Sequence, residues 1–156
     1  MKKNALGLLA VVVCVLLGSC SSSPTSGVDV LGRWYESIDE AGEEIDSTSF
    51  VIFGDEQQFT RRYHNAGSLE VGGYACSADT KEDYGNHPSK RVTMSTGTGE
   101  VYYIDIVCPL TGKELKKFKK ENPDAQVVWM WVFTFKDSNK EKITYFVKDP
   151  HYNADN

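Results

Sequence analysis

Residues Gln126 to Lys136 read QVVWMWVFTFK, a run without glycine, proline or an acidic side chain. Strict alternation places Val127, Trp129, Trp131, Phe133 and Phe135 on one face and Val128, Met130, Val132 and Thr134 on the other. β-Branched and aromatic residues at this density predict a strand, and apolar side chains on both faces predict an interior on one side and a cover on the other. Working outward, Asp137-Ser138-Asn139-Lys140-Glu141 reads as a turn into Lys142–Lys148 (KITYFVK), a second strand. Upstream, Arg91–Ser95 (RVTMS) and Glu100–Cys108 (EVYYIDIVC) flank Thr96-Gly97-Thr98-Gly99, a hairpin signature. Further upstream, Arg33–Ser37, Phe50–Phe53, Gln58–His64 and Ser68–Ser77 are short β-like runs separated by glycine-, asparagine- and aspartate-bearing turns, and Asp79–Lys90 reads as a long polar loop. One helix interrupts the series. Thr111-Gly112-Lys113-Glu114 has the capping-box form, and the helical run of 111–121 stops before Asn122-Pro123. Leu115 and Phe118 form its apolar stripe, which makes it the expected cover for the outer face of the Trp129 strand. The order of elements predicts a mainly-β fold: an antiparallel up-and-down β-barrel of about eight strands with one short helix.

The 156 residues carry 25% charged and 40% hydrophobic side chains, the range of one globular domain. The only long apolar run is Ala5–Leu17, preceded by Lys2 and Lys3 and too short for a spanning helix, which wants about 20 residues. It ends in Leu17-Gly18-Ser19-Cys20, which resembles the lipobox of bacterial lipoproteins. The resemblance implies a signal peptide over 1–19, lipidation at Cys20, and a cell-envelope protein attached to the membrane through its acyl chains. Ser21 stands where an Asp argues for inner-membrane retention, so the outer membrane is the expected location. The reading divides the chain into the signal (1–19), the lipidated Cys with a flexible tether (20–31), a domain (32–152) and a tail (153–156).

Removing Lys2 and Lys3 from the 17 basic groups leaves 15 against 22 acidic ones, a net charge of −7, and such an acidic domain is no nucleic-acid binder. Cys76 and Cys108 are the thiols left to the domain. In an exported protein the pair points to one disulfide, the alternative being two buried reduced thiols.

The segment Val30-Leu31-Gly32-Arg33-Trp34-Tyr35 carries a second resemblance. Gly32-Arg33-Trp34 is similar to the Gly-x-Trp signature opening the first strand of lipocalins and of lipocalin-like domains of bacterial lipoproteins. It implies a structural role for Gly32 and Trp34, with Trp34 plugging the closed end of a barrel. The chain lacks the Thr-Asp-x-x-Tyr turn and an Arg near the last strand to stack on the tryptophan. A third resemblance lies in Thr98-Gly99-Glu100-Val101-Tyr102, which matches the Ser/Thr-Gly-x-x-Tyr loop of small barrel lipoproteins that inhibit c-type lysozyme, although their Thr-Lys-Gly element is absent.

Hydrolase, zincin and nucleotide signatures are missing, and His64, His87 and His151 are scattered, so the expectation is a non-enzymatic protein with no cofactor and no metal. Glu36, Asp39, Glu40, Glu43, Glu44 and Asp46 read as a solvated acidic turn without the order of an EF-hand. Two functions remain. A small hydrophobic ligand would take Trp129, Trp131, Phe133 and Tyr103 as its wall and would need a cavity of roughly 300 Å³. A protein partner, such as a lysozyme-type enzyme, would meet Thr98, Gly99 and Tyr102 on a projecting rigid loop.

Overall fold

The computed structural model describes residues 28–63, 66–77, 84–136 and 140–153; the expected signal, Cys20, the expected tether up to residue 27 and His64 lie outside them. Eight strands, β1 (Gly32–Ser37), β2 (Ile45–Phe53), β3 (Gln58–Arg62), β4 (Glu70–Cys76), β5 (Ser89–Thr96), β6 (Val101–Val107), β7 (Val128–Phe135) and β8 (Glu141–Lys148), pair with their sequence neighbours. All pairs are antiparallel, and β8 returns to β1 through Trp34↔Lys148 and Ser37↔Tyr145, closing the barrel. The up-and-down barrel expected from the turn spacing is therefore the fold.

Alternation sets the interior. Trp34, Val51, Phe53, Phe59, Val92, Met94, Ile104, Ile106, Trp131 and Phe146 are buried together in one core cluster. Trp131 stands at its centre, stacked on Phe146 at a centroid distance of 4.1 Å and meeting Trp34 edge-on at 5.4 Å. Room for these rings comes from β4, where a Cβ on Gly72 would fall 2.1 Å from the Ser95 carbonyl and 2.7 Å from the Phe59 ring.

One end of the barrel is closed. Val28 and Val30 are buried in the core ahead of β1, so the domain begins before Gly32. The helix α1 (Gly112–Glu121) contributes Leu115 there, held by the capping box between Thr111 and Glu114. Trp34 donates its indole N–H to the Val30 carbonyl at 2.9 Å, and Lys148 lies over its ring at 5.6 Å.

The cover of β7 differs from the expectation. The β1–β2 turn folds back on the outer wall, where a Cβ on Gly42 would fall 2.4 Å from Val128 and 3.5 Å from Val147. Asp39 organises the turn by accepting hydrogen bonds from the Glu43 and Glu44 amides at 3.1 and 2.9 Å. That acidic run is thus a structural lid on the wall, while α1, short and lysine-rich, caps the closed end.

The expected Cys76–Cys108 disulfide is not formed, and Cys108 is a free, fully buried thiol. Register explains it. Cys76 pairs with Val92, and Val92 with Ile104, so Cys108 lies two strands over and four residues further along. Those four residues span about 13 Å along a strand, against the Cα separation below about 7 Å that a bridge requires.

Candidate functional site

The candidate ligand wall does not assemble. Trp131 is fully buried and Phe133 nearly so, and their neighbours fill the space a ligand would need. Tyr103 lies opposite Thr93 and Thr134 on the outer face, between the inward Tyr102 and Ile104. Within the barrel mouth the structure leaves a cavity of about 70 Å³, well below the roughly 300 Å³ of a small-molecule site. Trp129 faces a wider groove of about 750 Å³ at the closed end, with Trp34, Val127, Lys148 and Tyr152 among its lining residues. Trp34 and Trp129 are 1% and 8% exposed, so this groove offers a hydrophobic molecule almost no aromatic surface.

In the candidate inhibitor loop Thr98 and Gly99 lie in an exposed turn, whereas Tyr102 is buried and does not project. Gly97, Thr98, Gly99 and Glu100 are exposed between β5 and β6. The turn is tightly braced: the Gly99 amide donates to the Thr96 carbonyl at 3.0 Å, the Glu100 amide to Thr96 Oγ1 at 3.0 Å, and the Thr96 and Thr98 hydroxyls share a 2.8 Å bond. Gly99 has φ +89°, a conformation a side chain would strain. Tyr102 is buried below and donates its hydroxyl to Glu100 at 2.7 Å, so within the motif it acts as the brace and leaves Thr98 and Gly99 as the tip. Burial, reinforced by the Glu100 carboxylate, pushes the Tyr102 phenol up to about 12.

This turn belongs to the open end, and the apolar surface gathers there too. Ile38 and Ile45 are exposed where β1 and β2 meet their turn, Tyr63 and Leu69 beside the β3–β4 loop, and Phe135 at the end of β7. Val71 and Ile143 lie on the outer wall close by. Among the described residues, these seven are the exposed large hydrophobic side chains, and the closed end has none.

At the centre of the mouth sits a polar cluster. Phe59, Arg61 and Tyr63 alternate along one face of β3, so the pairing Arg61↔Val51 turns the arginine into the barrel. Its side chain is 4% exposed, and its Nε lies 3.2 Å from Glu70 Oε2, off the line a hydrogen bond needs, so both atoms are left unbonded. The guanidinium is stacked on Tyr63 at 3.7 Å, with Tyr102 and Phe133 at 5.1 and 5.8 Å. Desolvation pulls it below its ordinary value, opposed by the charges of Glu70, Tyr102, Glu100 and Glu36. Beside it Ser49 donates its hydroxyl to Glu36, and Ser49, Thr144, Lys142 and the rings of Phe133, Phe135 and Phe146 line the small cavity. None of these polar residues stands out by motif. The signal in the sequence is Arg61 on an aromatic alternation, QFTRRYH, where a charged residue falls on an inward position.

Other residues have plain structural roles. Gly32 takes φ +103° at the entry to β1. A His87 ring nitrogen lies 3.0 Å from the Cys108 carbonyl, and Arg91 makes a two-bond pair with Asp105 at 2.7 Å on the outer wall. No group of histidines, cysteines and carboxylates among the described residues could hold a metal ion. Comparison with known proteins gives no match: no family model fits the chain, and no curated protein or solved structure is significantly similar to it.

Proposed function

We propose that this chain is a lipid-anchored cell-envelope protein whose barrel is a non-enzymatic docking module, binding a protein through its open end. The observation that carries the reading is the segregation of surface: Ile38, Ile45, Tyr63, Leu69 and Phe135 are exposed at one end, beside the braced turn of Gly97–Glu100, while the interior is filled with rings. Exposed apolar side chains collected in one region, rather than scattered singly, mark interaction surfaces. A rigid turn loses little entropy on binding. The small volume of the mouth cavity, about 70 Å³ against the roughly 300 Å³ of a small-molecule site, favours a protein over a hydrophobic ligand held there.

Attachment follows from Leu17-Gly18-Ser19-Cys20, and it suits this geometry: Val28, the first described residue, enters at the closed end, so an anchor upstream leaves the docking end facing away from the membrane. A second reading rests on the turn itself. Thr98 and Gly99 at the tip of a braced hairpin fit insertion into an enzyme cleft, as the resemblance to lysozyme inhibitors implies.

Cross-linking of the native protein in its own membranes, followed by mass spectrometry, tests both. The expected result is one recurring partner linked to residues of the open end, lost in the Leu69→Ser/Phe135→Ser double variant with unchanged thermal stability. Links confined to the closed end overturn the docking reading. Undiminished activity of c-type lysozyme in the presence of excess protein excludes that enzyme class as the partner.

A further inference from the structure

The barrel mouth contains a charge whose bonding is incomplete. Arg61 is buried to 4% exposure and pairs with Glu70 at 3.2 Å, yet among the described residues its Nε forms no hydrogen bond, because Glu70 sits off-line. A buried cation with unused donors costs more than a bonded one, because water has been removed without replacement. The rings of Tyr63, Tyr102 and Phe133 surround it, and Tyr63 lies close at 3.7 Å. Stacking engages the faces of the guanidinium and leaves free its in-plane edge, where the unbonded Nε–H lies and where a planar oxyanion makes two parallel bonds.

The cavity beside it has room for about 70 Å³, enough for a carboxylate and a carbon or two and too little for a whole ligand. Ser49 and Thr144 bring hydroxyls to its wall, Lys142 stands at the rim, and Phe133, Phe135 and Phe146 make the rest apolar. Arg62, also at the rim, spends its Nε on the Ala66 carbonyl. Glu36 is the carboxylate in the lining, its oxygen already taken by Ser49, and Glu70 and Glu100 face Arg61 from β4 and the β5–β6 turn. With these carboxylates near, a multiply charged phosphate is repelled more than a singly charged planar group.

We propose that the mouth of the barrel is a carboxylate-binding pocket, in which Arg61 takes the oxygens of a carboxyl group on a short apolar stem whose body lies over the Phe133–Phe135 rim. The inference deepens the docking reading, and rests on it only for the source of the group, which is then an acidic side chain or a C-terminus of the partner. Arg61 is the binding residue, Tyr63 and Tyr102 hold its plane, and Ser49 keeps Glu36 occupied.

The test titrates the full chain, solubilised in neutral detergent, with 3-phenylpropionate, with its uncharged amide, and with the dipeptide Gly-Phe carrying a free or an amidated C-terminus, read by calorimetry. The acid is expected to bind at one site and its amide at least about tenfold more weakly; Arg61→Lys, which keeps the charge and loses the fork, removes most of that difference. Lys142→Ala, on the exposed rim, provides a variant whose folding is not at stake, and it weakens the acid alone. Binding by both the acid and the free dipeptide assigns the pocket to carboxylates at large, and binding by the dipeptide alone assigns it to protein termini. Equal affinity for acid and amide, or no binding by any carboxylate, overturns the proposal. Neither result touches the cross-linking of the open end, so the docking reading stands or falls separately.

Discussion

Single residues carry the tightest constraints in this barrel, and glycine shows it best. Gly72 and Gly73 are adjacent in β4, but only the first faces inward, where a Cβ would collide with the Ser95 carbonyl and the Phe59 ring; at Gly73 the nearest atom is 3.7 Å away. Gly72→Ala is therefore expected to cost about 1–3 kcal/mol, as overpacking does, while Gly73→Ala stays near neutral; urea midpoints of the two variants check this. Buried phenols set the alkaline limit in the same way. Burial, helped by the charges of Asp55 and Asp29, pushes Tyr74 up to about 12, and Tyr102 is raised to about the same value. Because folding favours their neutral forms, their contribution is complete below the ordinary tyrosine value near 10 and is lost as the pH rises through 12. Stability should fall steeply between pH 10 and 12, and the Tyr74→Phe/Tyr102→Phe double variant should flatten that limb in denaturation measured across pH.

Secondary-structure elements divide into those the pattern of residues announces and those that contacts assign. The capping box of α1 was legible as Thr111 and Glu114, and both halves form: Glu114 accepts from the Thr111 amide at 2.8 Å, and Thr111 Oγ1 accepts from the Glu114 amide. Thr111→Ala should cost about 1 kcal/mol. Since α1 gives the core only Leu115, faster amide exchange should stay within α1 and its flanks, as hydrogen-exchange mass spectrometry would resolve. For β7 the alternation set Trp129, Trp131 and Phe133 inward, while on the outer face Val132 is buried and Val128, Met130 and Thr134 are half-buried, and the contact at Val128 comes from the β1–β2 turn. An acidic run reads as solvated because its charges reach water, yet its backbone, turned by Gly42 at φ +75° and tied by Asp39, lies against Val128. No periodicity encodes that contact.

For the whole molecule, closure is the decisive event. Pairing of β1 with β8 joins the two ends of the described chain, and it separates a sealed end from an open one. Cys108 belongs to the sealed end, where burial pushes its thiol up and removes it from solvent. It should resist a thiol-specific reagent in the native protein and react once denaturant unfolds the barrel, so its labelling rate reports opening of that end. Immediate reaction under native conditions would contradict the burial.

The sequence by itself determined the strands, the helix cap, the meander order and hence the barrel, because alternation, turn chemistry and capping are local and survive in one dimension. It also carries the lipobox-like segment Leu17-Gly18-Ser19-Cys20 and the turn of Thr96–Gly99. Tertiary structure alone decided what those elements enclose. Whether Trp131 lines a cavity or fills one depends on Phe53, Trp34 and Phe146 arriving from three other strands, and here they fill it. Whether Cys76 reaches Cys108 depends on register, and whether Arg61 is solvated or buried among rings depends on which way β3 faces once the barrel shuts. These are questions of long-range distance, and packing of the closed barrel answers them.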